Sequence, residues 1–147
     1  MHTPVLLSAS AIALLLCSAC IESEGALPST AEQLLIDRYV MHEAPTPMHR
    51  LEIHYGDRAT LVGYDVGDLP LQPGTFLGIT WYWRVEKPLG DNWKLFTHVS
   101  DETGLVRVNA DKLGPVRKDF PPSKWPVGKY IRDPQLLGVK KPWASDK

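Results

Sequence analysis

A chain of 147 residues is long enough to close one hydrophobic core. With 16 Lys and Arg against 17 Asp and Glu its formal net charge is −1, so there is no electrostatic case for a nucleic-acid partner. Only Cys17 and Cys20 are present, and no Cys/His cluster has zinc spacing, so neither a disulfide framework nor a metal site is expected.

The chain begins MHTPVLLSASAIALLLCSAC. Positions 5–16 are almost wholly apolar and uncharged. That run is short for a membrane span, which takes about 20 apolar residues, and suits the apolar part of a secretory signal. Ser18 and Ala19 then lead into Cys20. A short apolar segment, small residues and a cysteine together resemble the signal of bacterial lipoproteins. The resemblance implies removal of residues 1–19, a diacylglycerol on the Cys20 sulfur and a further acyl chain on its freed amine. Two features depart from that pattern: Cys17 stands where leucine is usual, and His2 stands in for the usual Lys or Arg. An ordinary cleaved secretion signal is the alternative. Each buried methylene contributes about 0.8 kcal/mol, so two or three acyl chains anchor firmly where one does not. Ile21 replaces the aspartate that retains such proteins at the inner membrane, which implies the outer membrane. Cleavage removes Cys17 and leaves the mature chain no internal disulfide, so its fold must rest on packing.

Residues 20–28 include a polar stretch with Gly25 and Pro28 and read as a tether. The spacing predicts a helix over 29–44. Ser29 and Glu32 form a capping box, Leu35 with Tyr39 and Ile36 with Val40 fall on one side, and Pro45 and Pro47 stop it. From residue 48 to 147 the pattern turns to short strands. Leu51, Ile53 and Tyr55 alternate with Arg50, Glu52 and His54, which predicts a half-buried strand. Gly56 and Asp57 mark a turn, after which Thr60, Val62, Tyr64 and Val66 are expected on one face. TFLGITWYWRV is the longest predicted strand, followed by WKLFTHVS, the DETG turn and LVRVN. Residues 111–128 are rich in proline and lysine and read as a long loop. KYIRD reads as a short strand, and LLGVKKPWASDK has little alternation. The predicted fold is mainly β, an antiparallel sandwich of the immunoglobulin or jelly-roll kind, preceded by one short helix.

LVGYDV, PGTFLGITWYWRV, LFTHVSDETG and SKWPVGKYIRD, in that order, resemble a bacterial β-sandwich domain. That domain is found as an accessory piece of membrane glycosyltransferases and alone in envelope proteins. The resemblance spans roughly Leu51 to Asp133 and implies a fold and a setting, not a reaction. The family continues past its Arg-Asp strand with at least two further strands, which implies an edge left open near the C-terminus here.

The stretch GITWYWRV holds the main candidates. Alternation places Ile79, Trp81, Trp83 and Val85 on one face, where the two indoles are expected to fill a core. Tyr82 and Arg84 point the other way and offer an amphipathic surface on which a sugar ring could lie; the alternative is a partly covered outer sheet. Trp93 opens a strand beside a Gly-Asp-Asn loop and is the third ligand candidate. Trp125, before a Pro-Val-Gly turn, reads as a structural plug, and Trp143 lies at another loop edge. His98 reads as a packing residue, and His49 and His54 face opposite sides. Asp65, Asp68, Asp101 and Glu102 read as turn formers rather than calcium ligands.

No Gly-x-Ser-x-Gly elbow, phosphate loop or cofactor motif is present, and the expectation is a protein without catalytic activity. Three roles fit the sequence. The first is an envelope lipoprotein held in the bilayer by the Cys20 acyl chains, with a structural or recognition role. The second is a carbohydrate-binding module using Tyr82, Arg84 and Trp93. The third is a subunit that docks on an envelope protein by strand addition.

Overall fold

The computed structural model describes residues 27–67, 74–100 and 102–138. The signal segment with Cys20, the loop residue Asp68, the turn residue Asp101 and the tail with Trp143 lie outside the described residues. Helix α1 runs Thr30–Tyr39, with the capping box in place: Glu32 N donates to Ser29 Oγ, and Ser29 N donates to the Glu32 carboxylate. It is shorter than the prolines predict. Val40 and Met41 already form strand β1, paired with Ile131 and Tyr130. Strand pairing, not Pro45, therefore sets the helix end.

Strands β2 (His49–Tyr55), β3 (Ala59–Val66) and β4 (Phe76–Val85) form an antiparallel meander. A short hairpin, β5 (His98–Ser100) and β6 (Val106–Asn109), follows. Helix α2 (Pro115–Asp119) and a 3₁₀ turn (Pro122–Lys124) come next, and β7 (Tyr130–Gly138) returns beside β4. The main sheet has the order β1-β7-β4-β3-β2, so the protein is mainly β, antiparallel and sandwich-like. The second layer is the hairpin together with the helical segment.

Several expectations need correction: WKLFTHVS is strand only over His98–Ser100, and in His49–Tyr55 only Leu51 is half-buried, a bulge between Arg50 and Ile53 breaking the alternation. Thr60 and Val62 do not share a face with Tyr64 and Val66. Ala59 and Leu61 lie across from Val85 and Trp83, a bulge follows at Val62, and Tyr64 and Val66 then lie across from Trp81 and Ile79. The extra residue reverses the alternation. The segment 111–128 is not only a loop: it contributes Val116, Phe120 and Trp125 to the core. KYIRD is the start of a nine-residue strand next to β4, not a short strand. Its Pro134 is tolerated because β1 reaches only Tyr130 and Ile131, leaving β7 without a strand neighbour on that side from Arg132 onward.

The second layer makes two cores on one face of the sheet. One joins Tyr39, Val85, Val116, Phe120, Trp125 and Ile131 under the helical segment. The other joins Leu77, Ile79, Ala110 and Leu137 with Val99 and Val108 of the hairpin. On the opposite face, the link from β1 to β2 crosses the sheet. Pro45 and Pro47 in this link are buried. A Cβ on Gly63 would come within 2.8 Å of Pro47, so glycine is required for the link to lie this close.

Candidate functional site: an aromatic groove between two cores

Trp81 and Trp83 lie on the covered face, as alternation predicts, but neither is sealed. Both are half-buried, because the two cores stand apart and the indoles fall between them. The result is a groove enclosing about 280 Å³. Its floor is Leu61, Trp81 and Trp83. Tyr55 forms one wall, and Phe96 and His98 form the other, with Thr97 and Arg117 beside them. Tyr55 tilts against Trp83 at 5.7 Å between ring centroids, and Phe96 against His98 at 5.8 Å. Phe96 is 72% exposed at the groove edge. Below the segment Trp93–Thr97, which joins no helix or strand, a smaller recess of about 80 Å³ continues between Trp83, Trp93, Leu95 and Trp125.

Polar groups are fixed around this groove. Trp81 Nε1 donates to Gln135 Oε1 at 2.9 Å, and the Gln135 amide donates to the carbonyls of Ala110 and Leu113. His98 Nε2 lies 3.2 Å from Asp111 Oδ2, and Asp111 Oδ1 accepts from Thr97 N at 2.9 Å. Beneath them Arg117 Nη2 donates to Thr97 Oγ1 at 2.8 Å and to Asp133 Oδ2 at 3.2 Å. The Asp133 side chain is fully buried. Burial pushes its carboxyl up to about 6, against the pull of the Arg117 charge and the Trp83 indole N–H. Trp83 Nε1 and Asp133 Oδ1 are nonetheless left without a hydrogen bond of good geometry.

The sequence candidates divide between the two faces. Trp93 is half-buried beside the groove, where it lines the recess shared with Trp83 and Phe96. Tyr82 and Arg84 lie on the opposite face and are not brought together with Trp93. Tyr82 Oη donates to Asp65 Oδ2 at 2.8 Å, and Asp65 Oδ1 accepts from Met48 N at 2.7 Å. That carboxylate therefore ties the crossing link to the sheet. Burial, then the hydrogen bond to Asp65, raise the Tyr82 hydroxyl above its ordinary value. Arg84 Nε donates to Glu86 Oε1 at 2.7 Å, and Thr60 Oγ1 donates to the same oxygen at 2.8 Å. Burial works to raise the Glu86 carboxyl, but the bonds from Arg84 and Thr60 hold it below its ordinary value. Arg84 also borders an open polar recess with Arg50, Glu52 and Tyr130. Trp125 is buried, and its Nε1 donates to the Phe120 carbonyl at 2.9 Å, as a plug does.

Tyr55, Phe96, Arg117 and Asp133 are absent from the sequence candidates. One signal for Asp133 exists: Ile131, Asp133, Gln135 and Leu137 alternate on one face of β7, so two polar residues occupy core positions. Arg117 gives none, since it sits in a proline-rich stretch without periodicity. Among the described residues no group of three His, Cys, Asp or Glu could hold a metal ion. Comparison with protein-family models, curated proteins and solved structures returns no match to this chain.

Proposed function

We propose that this chain is a non-catalytic envelope lipoprotein, held in the outer membrane by acyl chains on Cys20, and that its aromatic groove binds glycans. The observation that carries the binding role is the pair of half-buried indoles, Trp81 and Trp83, on a sheet face flanked by Tyr55, Phe96 and His98. Aromatic faces suit the C–H faces of a pyranose, and the fixed polar rim of His98, Asp111 and Thr97 offers hydrogen-bond partners to ring hydroxyls. A groove left open between two finished cores is already formed, so little ordering opposes binding.

The binding role is checked by tryptophan emission during titration with neutral oligosaccharides. Saturable quenching is expected. It should be lost in Phe96→Ala, whose exposed ring holds no core together, and kept in Arg84→Ala on the far face. Quenching that survives Phe96→Ala and disappears in Arg84→Ala would move the site to the opposite face. The anchor is checked separately: Cys20→Ser should release the protein from the membrane fraction, and unchanged retention would contradict it.

A further inference from the structure

We infer that the glycan taken by this groove carries a carboxylate, as an acidic sugar does, and that Arg117 receives it beside Asp133. The inference rests on the glycan-binding reading above and specifies its ligand class.

Arg117 lines the groove, yet its side chain is only 4% exposed. A single nitrogen, Nη2, makes both of its protein hydrogen bonds. Nε and Nη1 are buried and unpaired, whereas Trp83 Nε1 approaches the Asp133 carboxyl without good hydrogen-bond geometry. Three N–H groups of Arg117, one on Nε and two on Nη1, are thus left unsatisfied beside one ion pair at the side of an aromatic groove. Folded proteins retain few such buried groups without a purpose or a bound partner. The excess of donors calls for a group rich in acceptors. A carboxylate meets a guanidinium through two parallel N–H bonds, whereas a neutral sugar hydroxyl satisfies one donor at a time. Both nitrogens lie below the groove surface. Thr97, on the groove wall, holds Arg117 through its hydroxyl.

Asp133 sets the condition for this binding. Charged, it competes with an incoming carboxylate for Arg117 and repels it. Protonated, it stops repelling and can donate. Arg117 faces it from α2 and the Trp83 indole from β4. At the groove mouth stand His98 of β5 and its partner Asp111. Acidic glycans therefore bind more tightly at pH 5 than at pH 7.

The test is calorimetric titration of the full chain in detergent with a galacturonate tetramer, which stays ionised at both pH values, and with a neutral hexose tetramer. The acidic ligand should bind at least about tenfold more tightly than the neutral one at pH 5, and lose most of that advantage at pH 7. Asp133→Asn should restore the pH 5 preference at pH 7, and Arg117→Lys should reduce the preference at both. Equal affinity for the two tetramers would overturn the carboxylate inference and leave glycan binding standing. A preference for the acid that ignores both pH and Asp133→Asn would overturn the assignment to this ion pair. Failure of both tetramers to bind would overturn the glycan reading and this inference with it.

Discussion

Asp133 is a carboxylic acid placed where a sheet would ordinarily put an apolar side chain, and its burial makes stability depend on pH. Its pKa stands at about 6 in the folded chain against an ordinary value of 3.8, because burial disfavours the charge more than Arg117 restores it. The folded state then binds more protons than the unfolded state between those values, so stability falls as pH rises through that window. The contribution is greatest below about pH 4, declines to about pH 6 and is level above, with a span on the order of 3 kcal/mol. Urea midpoints measured from pH 4 to 7 should show this decline in the native chain. They should lose it in Asp133→Asn. An unchanged slope in the variant would assign the decline to other groups. The polar character of this position was legible in the alternation of β7, but its partner was not. Arg117 arrives from a short helix whose proximity to β7 is a matter of tertiary folding, and no local pattern announces it.

At the scale of elements, strand existence was legible and strand phase was not. The long strand β4, the turn at Gly56 and the capping box of α1 follow from period and local hydrogen bonding. The bulge at Val62 does not. One extra residue sends Thr60 to the face opposite the one its spacing from Tyr64 implies, and nothing in ATLVGYDV marks which residue is extra. Gly63 beside the bulge lies under Pro47 and the His49 backbone, neither of which can rotate away. Gly63→Ala should therefore cost about 1–3 kcal/mol in urea unfolding. Gly78→Ala, also in the sheet but with open space at its Cβ, should stay within about 0.5 kcal/mol of the native chain. Equal effects at the two sites would remove the close approach as the reason for glycine. The helical segment 115–124 was hidden by its prolines. They suit helix starts as well as loops: Pro115 opens α2, and Pro122 opens the 3₁₀ turn. Phe120, 1% exposed, ties that segment to the sheet, and Phe120→Ala should cost about 3–5 kcal/mol.

The whole molecule explains why a run of aromatic residues was only half readable. Alternation assigned Trp81 and Trp83 to the covered face, and they are there. Whether that face is closed depends on what packs over it. A second full sheet would have sealed both indoles. A two-stranded hairpin and a helical segment instead cover its two ends and leave the middle open. The same packing separates Trp93 from Tyr82 and Arg84, which the sequence grouped as one binding surface. The groove side is left open, while the other face is crossed by the Pro45–Pro47 link and held by Asp65 and Tyr82.

The central claim is that glycans enter between the two cores, and side-chain indole N–H resonances address it residue by residue. On titration with an oligosaccharide, the Trp81 and Trp83 signals should shift in a saturable way. Trp125, whose indole is buried against the Phe120 carbonyl, should stay in place. Shifts confined to Trp125, or no shift at Trp81 and Trp83 at saturating sugar, would contradict the groove as the binding site.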